Sequence, residues 1–302
     1  MSLVIANEVD DWSGSLSKAN KLLAEKQYLP AFNEYKIYAD KDNGLAQFSL
    51  ALLLKNGWGK PANREEACYW YNKAANNGIP TAQQELGDCY LQGIIGDKKQ
   101  ALVWYEAAYK SGIISAACQA GELYLAGEYV PLNKEKGLAL CVQAANSGAV
   151  SAMTSLGKWY FNGQYVEKDI SLAFQVFQDA ANKHSAEAAY YVAQYYDRGI
   201  QREISTKDAL YWYEKSASRG FEKAYLPTSA LYLKAFEEDN TDKKGKLLAK
   251  TYLWAKTSVE LITEPQDKQL ATLILNKVNT EMPLQWQADL NAKVKEHVDL
   301  FQ

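Results

Sequence analysis

The chain has 302 residues, with 33 Lys and Arg against 36 Asp and Glu, a net charge of −3. That balance gives no electrostatic footprint for nucleic acid, and no basic block marks a membrane surface. Hydrophobic residues at 48% and charged residues at 23% suit a globular chain with a sizeable core, and no apolar run is long enough to span a bilayer.

The opening, "MSLVIANEVDDW", has no basic n-region and no signal-length apolar stretch, so no secretory leader is expected in it. Residues 14–44 then read as an incomplete helix pair that caps one end, its second helix beginning near Ala31. From Leu45 the chain repeats itself. Gly57, Gly93, Gly127, Gly163 and Gly199 follow at intervals of 36, 34, 36 and 36 residues. Gly78, Gly112, Gly148 and Gly220 keep the same step, with His184 in the slot where a glycine is missing. A period of this length belongs to helical solenoids, in which a unit cannot bury its apolar face alone but stacked units can.

Each unit reads as two helices. The first runs through "TAQQELGDCYLQG", "SAACQAGELYLAG", "SAMTSLGKWYFNG" and "EAAYYVAQYYDRG", whose apolar residues recur at helical spacing. Its eighth slot is always apolar: Leu53, Cys89, Leu123, Trp159, Tyr195 and Leu231. Gly87, Gly121 and Gly157, each costly in mid-helix by about 1 kcal/mol, make sense where another helix crosses closely. The glycines that end these helices suit left-handed caps.

After a loop of some eight to ten residues, Asn63, Asp97, Asn133, Asp169 and Ser205 stand as N-caps of the second helices. Trp70, Trp104 and Trp212 share an inward position there, and Ala74, Ala108, Ala144 and Ala180 allow close packing.

Five such pairs fill residues 45–220. A degenerate sixth is expected over 221–260, with an inner loop lengthened by "EEDNTDKKGK". Two capping helices close residues 261–302, with Pro265 and Pro283 in their first turns and Trp286, Leu290, Val294 and Val298 as the last buried stripe. The expectation is one continuous all-α solenoid and not two domains.

Cys68, Cys89, Cys118 and Cys141 lack C-x-x-C spacing and read as reduced, buried thiols, with Cys89 a small core filler. On that ground, and for want of a leader, the cytoplasm is the expected compartment. The periplasm is the alternative if a signal peptide has been removed.

The pattern A-x3-L-G-x2-Y-x2-G, a short loop with Asn or Asp, and A-x2-W-x2-K-A-A-x2-G resembles the Sel-one-like repeat family. It is carried most clearly by Ala82, Leu86, Gly87, Tyr90 and Gly93 with Ala67, Trp70, Lys73, Ala74, Ala75 and Gly78. Tyr109, Leu54 and His184 depart from it. The resemblance implies a right-handed α/α superhelix of antiparallel helix pairs, related to tetratricopeptide repeats. It also implies a non-enzymatic adaptor that binds a partner protein or peptide. Some members resemble proteins that neutralise secreted toxins, which is the alternative function. Secreted members with one disulfide per repeat are a subgroup this chain is not expected to join.

No chemistry stands out beside this. The two histidines, His184 and His297, have no second ligand at metal spacing, and no nucleophile elbow, phosphate loop or zinc motif occurs. No enzyme activity, cofactor or metal is therefore expected. By analogy with tetratricopeptide repeats, the first helices should line the concave wall. The expected binding residues are Phe48, Leu52, Gln84, Asp88, Gln92, Glu122, Lys158, Asn162, Tyr190, Gln194 and Arg198. Such a polar lining suits a partner segment held by hydrogen bonds.

Overall fold

Small residues decide where the helices of this protein meet. The computed structural model describes residues 12–301, and every regular element among them is an α-helix. The chain divides into two compact units, one up to Ser147 and one from Gly148 onward.

The first unit opens with α1 (Trp12–Ser15), α2 (Ser17–Ala24) and α3 (Tyr28–Ala39). Three helix hairpins follow: α4 (Gly44–Asn56) with α5 (Arg64–Asn76), α6 (Pro80–Leu91) with α7 (Gln100–Lys110), and α8 (Ile114–Ala126) with α9 (Lys134–Asn146). The second unit holds α10 (Val150–Asn162) with α11 (Ile170–Asn182) and α12 (Ala186–Arg198) with α13 (Thr206–Ala217). It ends with α14 (Glu222–Glu238), α15 (Lys244–Leu261), α16 (Pro265–Asn279) and α17 (Leu284–Phe301). Among the described residues, no helix is long and apolar enough to cross a membrane.

The mid-helix glycines sit where the hairpin partner crosses. A Cβ on Gly87 would lie 2.5 Å from the Tyr105 ring, and one on Gly157 would lie 2.6 Å from the Phe177 ring. At Gly121 the obstacle is backbone: its Cβ would stand 2.5 Å from the carbonyl oxygen of Gly137. The second helices bury Ala74, Ala108, Ala144 and Ala180 completely, and Trp70 and Trp212 almost so, while Trp104 is partly buried. Gly57, Gly127, Gly163 and Gly199 cap the first helices with φ near +70°, where L side chains are strained. His184 takes the same left-handed backbone at φ 74° in the slot where the other units have glycine.

Four of the five expected N-caps accept a backbone N–H from three residues on: Asn63, Asn133, Asp169 and Ser205. Asp97 does not. Its unit makes a tighter entry, the carboxylate accepts from the Lys99 amide at 3.0 Å, and α7 starts at Gln100 without a side-chain cap. The loop inside the first hairpin, 57–63, is one residue shorter than expected, while the loop over 92–99 has the expected length. In the sixth hairpin both ends of the stretch expected to lengthen the loop are absorbed into helix. α14 and α15 grow to 17 and 18 residues, and only 239–243 connect them. Pro265 starts α16 as expected, whereas Pro283 stands one residue before α17.

The cysteines overturn the free-thiol expectation. Cys68 on α5 is bonded to Cys89 on α6, and Cys118 on α8 to Cys141 on α9. No free cysteine remains among the described residues. The first bond ties one hairpin to the next and the second closes a hairpin. The pairs therefore occupy different repeat slots, and a search for a recurring pair cannot find them. Cys89 still fills the core, but as half of a cross-link.

The last helix buries Leu290, Val294 and Val298, while Trp286, expected in that stripe, is 36% exposed. It lies beside Gly245 at the start of α15, at the edge of the packing. Farther along α17, the His297 ring sits 5.7 Å from Tyr225, 5.4 Å from Trp254 and 4.8 Å from Phe301, with Nε2 3.2 Å from the Tyr225 hydroxyl. Burial pushes its pKa below the ordinary imidazole value. A lowered folded pKa means that His297 costs no stability above the unfolded pKa. Stability is then lost as pH falls from about 6.5 through the folded value. The urea midpoint of the second unit is expected to fall between about pH 7 and about pH 5.5, and His297→Leu to flatten that dependence.

Candidate functional site

Hydrogen bonds and ion pairs link first helices of successive hairpins into a wall within each unit, α4 to α6 to α8 in the first and α10 to α12 in the second. In the first unit, Lys55 of α4 pairs with Glu85 of α6 at 2.7 Å. Gln84 of α6 donates to Ser115 Oγ at 3.1 Å and to the Gln119 carbonyl oxygen on α8. Gln119 Nε2 donates in turn to Asp88 Oδ1 at 3.0 Å, and the Tyr105 hydroxyl of α7 donates to the same oxygen at 2.5 Å. Burial holds the Asp88 carboxyl above the usual carboxylate range, with the Tyr105 hydrogen bond working against that shift. Burial and the Asp88 bond together push the Tyr105 phenol well above its ordinary value, so it remains a donor.

In the second unit, Lys158 of α10 meets Glu187 of α12 at 3.0 Å, and Thr154 meets Ser185 at 3.0 Å. Tyr190 lies in an aromatic group with Tyr191, Tyr213 and Phe221, at centroid distances of 5.8, 5.6 and 5.3 Å. The Tyr213 hydroxyl donates to Asp197 at 3.2 Å.

These contacts sort the expected binding residues. Gln92, Glu122, Asn162 and Arg198 are exposed on the first helices or at their ends. Gln84, Asp88 and Lys158 are half-buried and already hold neighbouring helices together. Phe48 and Leu52 are half-buried on α4, Phe48 packing 5.9 Å from the Tyr71 ring. Tyr190 is a half-buried packing residue, and Gln194 is only 8% exposed, hydrogen-bonded to Tyr190. Gln194 therefore has little surface for gripping a partner. Gln119, Glu85 and Glu187 belong to the wall without having been expected there. Each lies beside a chosen slot on the next row of the helix, which a three-position template leaves out.

One cleft opens on the wall of the first unit, between α4, α5 and α6, with a volume of about 80 Å³. Lys55, Tyr71, Glu85, Asp88, Gln92 and the Cys68–Cys89 disulfide line it. Nowhere among the described residues do three His, Cys, Asp or Glu side chains come together in a way that could hold a metal ion. His184 contacts Arg219 at 2.8 Å, and His297 belongs to the α17 packing described above.

The family model of the Sel1 repeat matches residues 44–79, 80–113, 114–148, 150–185 and 186–221, the five hairpins from α4–α5 to α12–α13. Among solved structures, the chain is similar to a Sel1 repeat protein from Oxalobacter formigenes. Identity is 23% over 87% of this chain and 99% of that one, with a TM-score of 0.61. It is also similar to c5321, a protective antigen present in uropathogenic Escherichia coli strains that displays an SLR fold. There identity is 19% over 95% of this chain and 62% of the other, with a TM-score of 0.58. The immunity protein Pa5087 from Pseudomonas aeruginosa is similar at 21% identity over 78% of this chain and 82% of its own, with a TM-score of 0.50. At these identities the likeness concerns the fold. No curated protein matches the sequence.

Proposed function

The chain belongs to the Sel1 repeat family, and on that premise we propose that it is a non-enzymatic scaffold whose first helices bind another protein or peptide. The observation that supports this is the build of the wall. Gln92 and Glu122 on one unit, and Asn162 and Arg198 on the other, are exposed polar side chains on helices tied together by hydrogen bonds and ion pairs. A frame ordered before binding loses less entropy when a partner docks. The second helices pack Trp70 and Trp212 inward and give the wall its backing.

Affinity capture from the native cell tests this reading. The wild-type chain is expected to retain a specific partner. Asn162→Ala combined with Arg198→Ala is expected to weaken that partner by about tenfold or more, as loss of interface anchors does. Both residues are exposed, so the fold should move by less than about 0.5 kcal/mol. Equal retention by the variant, or no specific partner at all, would contradict the proposal.

A second role for the same wall is neutralisation of a secreted toxin or effector. The immunity protein Pa5087 is similar in fold, which makes that role compatible with this architecture. If it holds, the captured partner has an activity that falls stoichiometrically as the chain is added. The paired cysteines support an oxidising compartment, the periplasm or the cell exterior, in place of the cytoplasm.

A further inference from the structure

Tyr71 is 1% exposed, and its hydroxyl is buried without a hydrogen-bond partner among the described residues. Its counterpart one unit on, Tyr105, donates to Asp88. In the first hairpin the slot equivalent to Asp88 holds Leu52, which has nothing to offer. Tyr71 instead lines the α4–α5–α6 cleft, together with Glu85 and Asp88. A buried hydroxyl left unpaired costs about 1–3 kcal/mol, so this one needs a partner, from water or from a ligand.

The carboxylate valences left in this cleft are acceptors, and the Tyr71 hydroxyl can accept through its lone pairs while its proton turns to a carboxylate. Asp88 takes both of its bonds on Oδ1, and Glu85 takes Lys55 on Oε2. Asp88 Oδ2, Glu85 Oε1 and the Tyr71 oxygen are left. Three acceptors match the three N–H donors of an ammonium group. The remaining lining is apolar, with Ala67, Ile94 and the Cys68–Cys89 disulfide, a surface for methylenes. At about 80 Å³ the cleft has room for an ammonium and its last methylenes. The cations in the lining do not fill the role. Lys55 is 45% exposed on its side chain and bound to the outer carboxylate, and Arg64 is exposed at the first position of α5.

We propose that this cleft receives a lysine side chain of the partner protein, its ammonium held by Tyr71, Glu85 and Asp88. The proposal rests on the protein-binding reading of the wall and adds to it the chemistry that one position reads.

The test is a titration of the full, oxidised chain with N-acetyl-lysine N-methylamide, followed by amide chemical shifts. Saturable shifts are expected around Tyr71, Glu85 and Asp88. Tyr71→Phe and Asp88→Asn should each weaken the probe about tenfold, the loss expected for one hydrogen bond to a charged group. Tyr71→Phe removes only an unpaired hydroxyl, so it should melt no lower than the wild type and report binding free of folding effects. The norleucine analogue, which lacks the amine, should give no saturable shift. A silent lysine probe, an equal response to norleucine, or saturable binding of N-acetyl-glutamate N-methylamide instead would overturn the proposal. Those outcomes leave the scaffold reading standing, because it is tested by capture through Asn162 and Arg198. Conversely, a cleft that binds the lysine probe in a chain that captures no partner would count against the scaffold reading alone.

Discussion

Reducing the two disulfides is expected to destabilise the unit up to Ser147 by about 6 kcal/mol, about 3 kcal/mol for each bond. The bonds join residues 21 and 23 positions apart, and each removes the loop-closure freedom of that length from the unfolded chain. Domains are stable by only about 5–15 kcal/mol, so the loss is a large share of the total. The melting temperature of the first unit should fall by about 15 °C or more, while the unit from Gly148 onward, which has no cysteine, keeps its own. Thiol titration of the denatured chain should find no reactive thiol before reduction and four after it. A melt indifferent to reductant, or thiols that react without it, would refute the pairing.

The second large effect is expected at Gly121. A Cβ there would lie 2.5 Å from the Gly137 carbonyl oxygen and 3.0 Å from Cys141 Sγ, and a Cβ on Gly137 would lie 2.6 Å from the Gly121 carbonyl oxygen. Two backbones touch at this crossing of α8 and α9, and neither can swing aside as a side chain does. Gly121→Ala should therefore cost about 1–3 kcal/mol in spite of its better helix propensity, and Gly121→Val more than that. At Gly157 the obstacle is the side-chain ring of Phe177, which yields more readily than backbone. Urea melts should rank Gly121→Ala as more damaging than Gly157→Ala. The reverse order would mean that α8 and α9 are farther apart than described.

How much of this was legible in the residues depends on whether a feature repeats. Gly87, Gly121 and Gly157 recur in step, and each marks a helix crossing. Asn63, Asn133, Asp169 and Ser205 recur in step, and each caps a helix. Asp97 keeps the spacing, but its unit is two residues shorter, and the turn there tightens before the helix can use the cap. Features that occur once left no such trace. The disulfides link two unlike pairs of slots. The long sixth hairpin converts a polar stretch into helix because α14 and α15 bury Phe236, Leu248 and Tyr252 along their extended lengths.

The candidate site was legible in outline only. Choosing slots on the first helices finds the wall, since those helices do contact one another. Spacing cannot tell which side chains face a neighbouring helix and which face solvent. Gln84 and Asp88 bond to Gln119 because the next hairpin meets α6 at those positions, and Gln194 is buried beside Tyr190 of its own helix. Tyr71 looks like every other tyrosine of its slot. Its orphaned hydroxyl emerges only when Leu52 is seen where the other hairpin has Asp88.

The measurement that tests the scaffold reading most directly is photo-crosslinking in the native cell from single benzoylphenylalanine residues. Glu122 and Asn162 place the probe on first helices, and Tyr69 and Tyr211 place it at exposed positions on second helices. A discrete adduct with one partner protein is expected from Glu122 and Asn162, and none from Tyr69 or Tyr211. Adducts confined to Tyr69 and Tyr211, or no adduct from any of the four, would contradict it.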